Sequence, residues 1–308
     1  MRGEVSVVVL TRNAGPGFGL LLERMAAQRG DFVVEVVVVD SGSDDGTVET
    51  ARRFGALVHE IPPGSFDHGA ARNLGVSLSR GEYVAFVVQD ALPADGGWLS
   101  AMVEDLEGDP SVAGVYGRQL PRPEATPLTR VLARGSLASS ERRRVQRAPR
   151  GLGALTPAER RLAAAFDDVS SCIRRSVWEE IPFEEGGFGE DLRWGRRVVE
   201  AGYALVYEPR SVVYHSHERG FRYDLRRRYT EARLLRELFG VEVSPPAALL
   251  SGVADLAHLL RGLWCEAGPL GTLRHAPRAA SYAAANGLGT LLAASDGPRL
   301  ERLIGGGL

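Results

Sequence analysis

The side chains best suited to chemistry in this sequence are acidic residues that follow apolar runs. Asp40 ends the run 33–39, and Asp90 comes shortly after the run 83–88. Further along the chain, Glu190 and Asp191 form an adjacent pair of acids. Carboxylates bind divalent cations, accept hydrogen bonds from a ligand, or take the proton from an attacking hydroxyl. The pattern predicts a site assembled from acids that lie far apart in the chain.

Each of these acids also has a plainer interpretation. Asp40 can accept a hydrogen bond from the imide N–H of uracil or thymine, but residues 40–47 are also typical of a turn with a helix N-cap. Asp90 can hold Mg²⁺ or Mn²⁺ together with substrate phosphates. Glu190 and Asp191 could provide a general base, or could only complement the positive end of a helix.

Basic and imidazole groups supply the partners for such a site. Gly69 opens a helical segment, and Arg72 one turn later could grip a phosphate. His215 and His217 alternate along a short strand, so their side chains face the same side. Either imidazole could complete a cation site with Asp90. A solvated arginine and structural histidines are the alternatives.

The segments around these residues predict a parallel sheet covered by helices. Strands are expected at residues 5–10, 33–39, 56–60, 83–88 and 112–120, and helices at 19–28, 47–54, 70–79 and 98–106. After a long stretch without a clear pattern, ordered structure is expected again at 167–174, followed by a helix at 190–201 and short strands at 204–207 and 212–214. Ligands of α/β sheets bind beyond the carboxyl ends of the strands. Asp40 and Asp90 are expected there.

Two later segments differ in composition from this pattern. Residues 139–161 contain seven arginines and predict a mobile basic loop, which is either solvated or an anion contact. From residue 222 onward the pattern is helical, which divides the chain into an α/β domain at 1–221 and a helical appendage at 222–308. The cationic amphipathic stretch 222–239 and the apolar helices after it are expected to pack on the α/β domain, to form a homodimer interface or to lie on a membrane surface.

Composition excludes several classes of protein. The 308 residues are 44% hydrophobic and 25% charged, which is typical of a globular chain. The 37 basic residues, all arginine, balance 39 acidic ones, so no global basic field recruits nucleic acid. The absence of lysine excludes a Schiff base and a Walker-type phosphate lysine. Charges interrupt every long apolar stretch, so no membrane crossing is expected. Cys172 and Cys265, far apart, favour a reducing compartment such as the cytoplasm over a disulfide framework.

A dinucleotide-binding fingerprint is matched only superficially. Gly15, Gly17 and Gly19 follow the first strand, and Asp40 comes about twenty residues later. The third glycine of the fingerprint should stand at Leu20, and Pro16 occupies the tight turn. An NAD-dependent dehydrogenase is therefore kept only as an alternative.

The order of these motifs resembles the family 2 glycosyltransferases of the GT-A fold, and within them the rhamnosyltransferase-like branch. The resemblance spans residues 5–228, and the segments 8–15, 38–47, 66–73, 89–91 and 186–194 carry it. One departure stands out, because Gln89-Asp90-Ala91 keeps a single carboxylate where the family has its metal-binding D-x-D. The implied fold is a GT-A α/β sheet with flanking helices and a C-terminal helical appendage.

The resemblance implies an inverting transfer of a sugar, with rhamnose the leading candidate, from a dTDP- or UDP-linked donor. The acceptor would be a hydroxyl of a glycan or lipid-linked molecule in cell-surface polysaccharide synthesis, at the inner membrane face. Asp191 would be the general base, and Asp90 with His215 would hold Mg²⁺ or Mn²⁺, with His217 as the second choice of ligand. The implied donor-nucleotide contacts are Thr11, Arg12, Asn13, Asp40, Ser41, His68, Arg72 and Gln89, and the acceptor-side residues are Glu190, Phe188 and His217. A non-catalytic nucleotide-sugar-binding scaffold is the alternative, because only Asp90 remains of the D-x-D.

Overall fold

The computed structural model describes residues 3–295, and contacts within the chain divide it into two compact units. Unit 1 comprises residues up to 120 together with 137–215, and unit 2 comprises 121–136 together with the chain from 216 onward. The short segment 121–136 therefore clusters with the C-terminal helices rather than with the residues on either side of it. The expected domain boundary after residue 221 stays a prediction.

Unit 1 is built on a mixed β-sheet. Its strands, within the described residues, are β1 (Gly3–Thr11), β2 (Phe32–Asp40), β3 (Leu57–Glu60), β4 (Tyr83–Val87), β5 (Leu92–Pro93), β6 (Val112–Leu120), β7 (Arg144–Gln146), β8 (Ser170–Arg174) and β9 (Ala204–Tyr214). They pair in the order β3-β2-β1-β4-β8-β6-β9-β5, and β7 pairs with β9. The strands expected from the sequence are present, and the two short ones at 204–207 and 212–214 form the single strand β9.

The strand directions bring one set of strand ends together. Strands β1 to β4 run parallel, and β8 runs antiparallel to both β4 and β6. Because β9 is parallel to β6, the carboxyl ends of β1, β2, β4, β6 and β9 meet the amino end of β8. We call this side of the sheet the carboxyl edge.

Helices cover both faces of the sheet. The helices of unit 1 are α1 (Phe18–Ala26), α2 (Thr47–Arg53), α3 (His68–Leu78), α4 (Trp98–Gly108), α6 (Pro157–Ala163), α7 (Arg175–Glu180) and α8 (Glu190–Glu200), while α5 (Pro127–Arg134) belongs to unit 2. Val7 on β1 packs in one core with Leu21 of α1 and Met102 of α4. Its neighbour Val8 packs in a second core with Trp194 of α8. Burial on both faces explains why these strands are continuously apolar instead of alternating.

The segment 139–161, expected to be a mobile loop, contains β7 and most of α6. A capping box starts α6, in which Thr156 and Glu159 satisfy each other's backbone N–H groups. Arg143 bonds to Asp105, and the guanidinium of Arg144 lies 4.1 Å from the ring centroid of Tyr207. Arg143 and Arg144 thus contact the protein's own groups, whereas the sequence left open a solvated loop or an anion contact.

Unit 2 is helical, as the sequence predicts. It contains α5, α9 (Phe221–Phe239) and α10 (Pro245–Ala294), and α10 is broken at Gly268, where φ is 68°. Leu128 and Val131 of α5 form a small core with residues of α10. Among the described residues, no helix is long and apolar enough to cross a membrane.

Gly69, near the start of α3, provides a test of the packing beside the site. A Cβ at this position would lie 1.9 Å from the carbonyl oxygen of Glu184, in the loop before α8. We expect Gly69→Ala to displace that loop and to cost about 1–3 kcal/mol, which lowers Tm by roughly 3–10 °C in a thermal melt. Gly153→Ala is the matched control, because a Cβ there meets nothing within 4 Å. Equal Tm values for the two variants would contradict the close approach.

Candidate active site

The carboxyl edge collects most of the residues that the sequence singles out. Thr11 ends β1, Asp40 ends β2, Asp90 lies just beyond β4, and His215 comes directly after β9. The amino end of β8 brings Asp168 to the same edge. Because neighbouring strand ends are close in space, residues more than a hundred positions apart become neighbours.

Asp40 is fully buried and holds the loop that follows β2. Its Oδ1 accepts hydrogen bonds from the backbone N–H groups of Gly42 (2.9 Å) and Ser43 (2.8 Å). Its Oδ2 accepts from the hydroxyls of Thr11 (2.7 Å) and Ser43 (2.5 Å). These four bonds use the acceptor capacity of the carboxylate. Asp40 therefore braces the loop in this structure, and its expected contact with a nucleotide base stays a prediction.

The loop after β1 is held from two sides. Asn13, in the left-handed region at φ 48°, donates its backbone N–H to Ser43, and its side-chain oxygen accepts from Asp44. Gln89, after β4, brackets the backbone of Arg12 by accepting from its N–H (2.8 Å) and donating to its carbonyl (3.2 Å). The backbone of the expected nucleotide loop is thus ordered by the protein itself. The side chain of Arg12 stays exposed.

Ser41 and His68 complete the expected donor set. Ser41 is buried and donates both its backbone N–H and its hydroxyl to the carbonyl of Thr11. The imidazole of His68 is half exposed and makes an edge contact with the ring of Phe66. Burial lowers the pKa of His68, and the nearby Glu190 opposes that shift. The lowered pKa favours the neutral form of His68, whose imidazole is accessible. The hydroxyl of Ser41, by contrast, is buried against the backbone of Thr11.

Arg72 lies between two buried acids. Its Nε is 2.9 Å from Oδ2 of Asp168, and its Nη1 donates to Oε1 of Glu190 at 2.5 Å. All three residues are less than 10% exposed, and the guanidinium lies over the ring of Phe86. In this structure Arg72 is engaged by Asp168 and Glu190, and its expected phosphate contact stays a prediction. The guanidinium joins α3 to the amino end of β8 and to the first residue of α8.

Neighbouring residues of α3 hold the loop before α8. Asp67 accepts a hydrogen bond from the backbone N–H of Gly186 (2.9 Å). Asn73 binds Phe183 through both backbone groups, accepting from its N–H and donating to its carbonyl at 3.0 Å each. With Gly69, these residues make the segment 66–73 a clamp on the loop 183–190. The clamp sets where Asp191 and the partly exposed Phe188 lie.

Asp191 stands in the first turn of α8 among like charges. Burial raises the pKa of its carboxyl well above the usual range, and Glu190, Asp168 and Asp167 add to the shift, while Arg72 opposes it. Burial also raises the pKa of Asp168 to about 6, against the attraction of Arg72. Four acids around one guanidinium cannot all be ionised without strong repulsion. A carboxyl of raised pKa is suited to general-base chemistry.

Asp90 and His215 form a candidate cation site at the ends of β4 and β9. Nε2 of His215 lies 3.7 Å from Oδ1 of Asp90. The two residues that the resemblance implies as cation ligands are thus brought together. His217, implied as the second choice of ligand and as an acceptor-side residue, follows two residues later and belongs to unit 2. A carboxylate and an imidazole are ligands that a divalent cation accepts.

Gln119, at the end of β6, connects the cation site to the acids. Its amide nitrogen donates to Asp167 at 2.8 Å, and its oxygen lies 3.4 Å from Nδ1 of His215. In the tautomer that carries its proton on Nδ1, His215 donates to Gln119 and its Nε2 lone pair faces Asp90. Sequence reasoning missed Gln119, Asp167 and Asp168. Asp167 and Asp168 stand before a strand instead of after one, and only the antiparallel direction of β8 brings that end of the strand to the site.

Residues 6–169 match the family model of glycosyl transferase family 2. The chain belongs to this family. It is 32% identical over 219 residues to the O-antigen chain rhamnosyltransferase RfbN of Salmonella typhimurium, covering 70% of this chain and 67% of that one. It is 30% identical over 190 residues to the O-antigen chain rhamnosyltransferase WbaN of Salmonella anatum, covering 59% of this chain and 56% of the relative.

Solved structures show the fold. A mannosyltransferase from Pyrobaculum calidifontis superposes with a TM-score of 0.60 at 20% identity, covering 100% of this chain and 89% of that one. Staphylococcus aureus TarS 1-349 superposes with a TM-score of 0.54 at 17% identity, covering 92% and 90%. The predicted family, the GT-A fold and the glycosyltransferase class are confirmed. The dehydrogenase and scaffold alternatives are dropped.

The contacts of Arg72 predict a large loss of stability when it is replaced. Arg72→Met would leave Asp168 and Glu190 buried without their cation, at a cost of about 3–5 kcal/mol. We expect Tm to fall by roughly 10 °C or more, measured by calorimetry. Arg80→Met is the matched control, because the Arg80 side chain is 73% exposed, and should change stability by less than about 1 kcal/mol. A phosphate-binding Arg72 would give the opposite result, with Tm retained and stabilisation by nucleotides lost.

The raised pKa of Asp191 predicts a specific pH dependence of stability. Because its pKa is raised, Asp191 binds a proton more tightly in the folded protein than in the unfolded chain, so this contribution to stability is present below about pH 4 and is lost as pH rises toward the folded pKa. Asp191→Asn removes the ionisation, so the variant should be more stable than the native protein at pH 8. The difference should shrink at pH 5. Melting curves across this range test it, with Asp44→Asn, an exposed acid, as the control.

Proposed function

We propose that this glycosyltransferase moves rhamnose, with inversion, from a dTDP- or UDP-linked donor to a hydroxyl of a glycan or lipid-linked acceptor. Asp191 carries the proposal. Its carboxyl has a raised pKa and stands at the start of α8, which the buried ion pairs of Arg72 hold in place. The sugar is supported by the names of two relatives, both O-antigen chain rhamnosyltransferases. A nucleotide-sugar donor is supported by structural neighbours in complex with GDP-Man and Mn²⁺ and with UDP-GlcNAc.

Asp191 would remove the acceptor proton. As the acceptor oxygen forms its bond to the anomeric carbon, the bond from that carbon to the diphosphate breaks, and the acceptor proton passes to the carboxylate of Asp191. One base on the acceptor side is sufficient for this inverting displacement. Repulsion from Glu190, Asp168 and Asp167 helps Asp191 to accept the proton. The partly exposed Phe188 lies beside it in the chain and would contact the acceptor.

The donor-side residues divide by their exposure. Arg12 and Asn13 are exposed and His68 is half exposed, so these side chains would touch the nucleotide. Thr11, Asp40 and Ser41 are buried and would act by holding the two loops in place. Gln89 orders the backbone of Arg12 in the same way. Arg72 would be a positioning residue for Glu190 and Asp191.

Asp90 and His215 would hold Mn²⁺ in preference to Mg²⁺, because Mg²⁺ prefers ligand sets made of oxygen alone. A cation bound there would neutralise charge on the leaving diphosphate. Gln119 orients His215 for this role. The free thiols Cys172 and Cys265 fit a reaction on the cytoplasmic side of the membrane.

Transfer assays with separate binding measurements test this proposal. dTDP-rhamnose with Mn²⁺ should be consumed in the presence of a polyprenyl-diphosphate-linked sugar, and dTDP should be released. Asp191→Asn should lower the rate by about 10²–10⁴-fold while leaving thermal stabilisation by dTDP and Mn²⁺ intact. Asp90→Asn should lose that stabilisation, and Asp44→Asn should behave as the native protein.

Two results would contradict the proposal at different points. Stabilisation by none of dTDP, UDP and GDP in the presence of Mn²⁺ would overturn the donor and cation sites. Native transfer rates in Asp191→Asn would leave those sites in place and overturn the assignment of the base.

A further inference from the structure

Helix α10, in unit 2, carries a large exposed apolar surface. Six large side chains on it are between 54% and 83% exposed, namely Leu249, Leu250, Val253, Trp264, Leu270 and Leu273. Single exposed leucines are common on protein surfaces, but a group of this size marks a surface that meets a partner. We call these six residues the α10 apolar face.

The residues of this face are spaced as in an amphipathic helix. At about 100° per residue, Leu249, Leu250, Val253 and Trp264 project within an arc of roughly 100°. Leu270 and Leu273 follow the break at Gly268 and lie one turn apart. The buried residues Leu259 and Leu263 project beside this arc, next to Leu249.

Charge is distributed unevenly around α10. Arg261 and Arg274 are exposed, as is His258. The acids between residues 245 and 282 are Asp255 and Glu266, and both are turned inward. Asp255 bonds to Asn286, and Glu266 pairs with Arg130 and Arg134. The exposed side of this stretch therefore presents cations and apolar groups without a carboxylate.

We propose that the α10 apolar face docks on an anionic lipid surface. The leucines and Trp264 would enter the boundary between headgroups and acyl chains, while Arg261 and Arg274 pair with lipid phosphates. A second copy of the chain would offer the two arginines no acid across a symmetric contact. A nucleic acid would offer no apolar counterpart for four leucines. Docking needs only α10, although under the proposed function it also holds the enzyme beside a lipid-linked acceptor.

Vesicle flotation of the full-length protein tests the docking. The protein should float with phosphatidylcholine vesicles that contain about 30% phosphatidylglycerol, and much less with phosphatidylcholine alone. Binding should weaken as salt is raised, because the arginines are screened. The fluorescence of Trp264 should shift to shorter wavelength on binding, and Trp264→Phe should lose most of this shift. Trp98 and Trp194, both fully buried, should contribute little.

Paired variants separate the apolar and cationic contributions. Leu250→Ser with Leu270→Ser should lower vesicle affinity by about tenfold or more. Arg261→Gln with Arg274→Gln should lower it by about thirtyfold at low salt and little at high salt. The matched control is Leu57→Ser with Arg142→Gln, because both residues are exposed on unit 1. Unchanged Tm and circular dichroism would show that each variant is folded.

Three outcomes would overturn the proposal. They are no binding to anionic vesicles, binding that survives both α10 double variants, and a dimer seen by light scattering that the same substitutions dissociate. The last result would assign the face to a second copy of the chain. None of these measurements depends on sugar transfer, so failure of the docking and failure of the proposed function are distinguishable.

Discussion

The site depends on one buried cation. Arg72 compensates Asp168 at the amino end of β8 and Glu190 at the start of α8, in a region where an unpaired charge would cost several kcal/mol. Because each acid belongs to a different element, the guanidinium joins α3, β8 and α8 at one point. Asp191 follows Glu190 directly, so its position depends on the same pair. The charge that stabilises the fold here also places the candidate base.

The site contains more acidic than basic side chains, and this excess shapes its electrostatics. Burial raises the pKa of Asp191, and the three other acids Asp167, Asp168 and Glu190, which outnumber Arg72, add to the shift. A balanced cluster would be more stable but would leave Asp191 a weaker base. Gln119 extends the network from Asp167 to His215, so the acids and the cation site are connected by hydrogen bonds. Stability is given up where the chemistry needs a proton acceptor.

Several residues expected on the donor-nucleotide side, in contrast, have their polar groups satisfied within the protein. The carboxylate of Asp40 has its acceptor capacity filled, and Gln89 and Ser43 order the backbone of the loop after β1. A loop that is ordered before a ligand arrives loses less conformational entropy on binding. Preorganisation thus explains why several residues expected as direct contacts are buried. They shape the surface that Arg12, Asn13 and His68 present.

Much of this protein is determined by its sequence alone. Local apolar runs and turn residues predicted the strands β1 to β4, the helices between them, and the placement of Asp40 and Asp90 at strand ends. These features depend on neighbouring residues, which a linear pattern records. The sequence also placed His215 beside Asp90, through its resemblance to a family whose membership is now confirmed.

Only the tertiary structure decided which residues far apart in the sequence come into contact. The antiparallel direction of β8 brought Asp168 to the carboxyl edge, where it became a buried ion-pair partner of Arg72. In the same way, Arg143 and Arg144 contact an acid and an aromatic ring on distant elements. Burial and the partner of a charge are set by segments far away in sequence, and no local pattern records them. The exposure of the α10 apolar face is likewise a property of the folded chain.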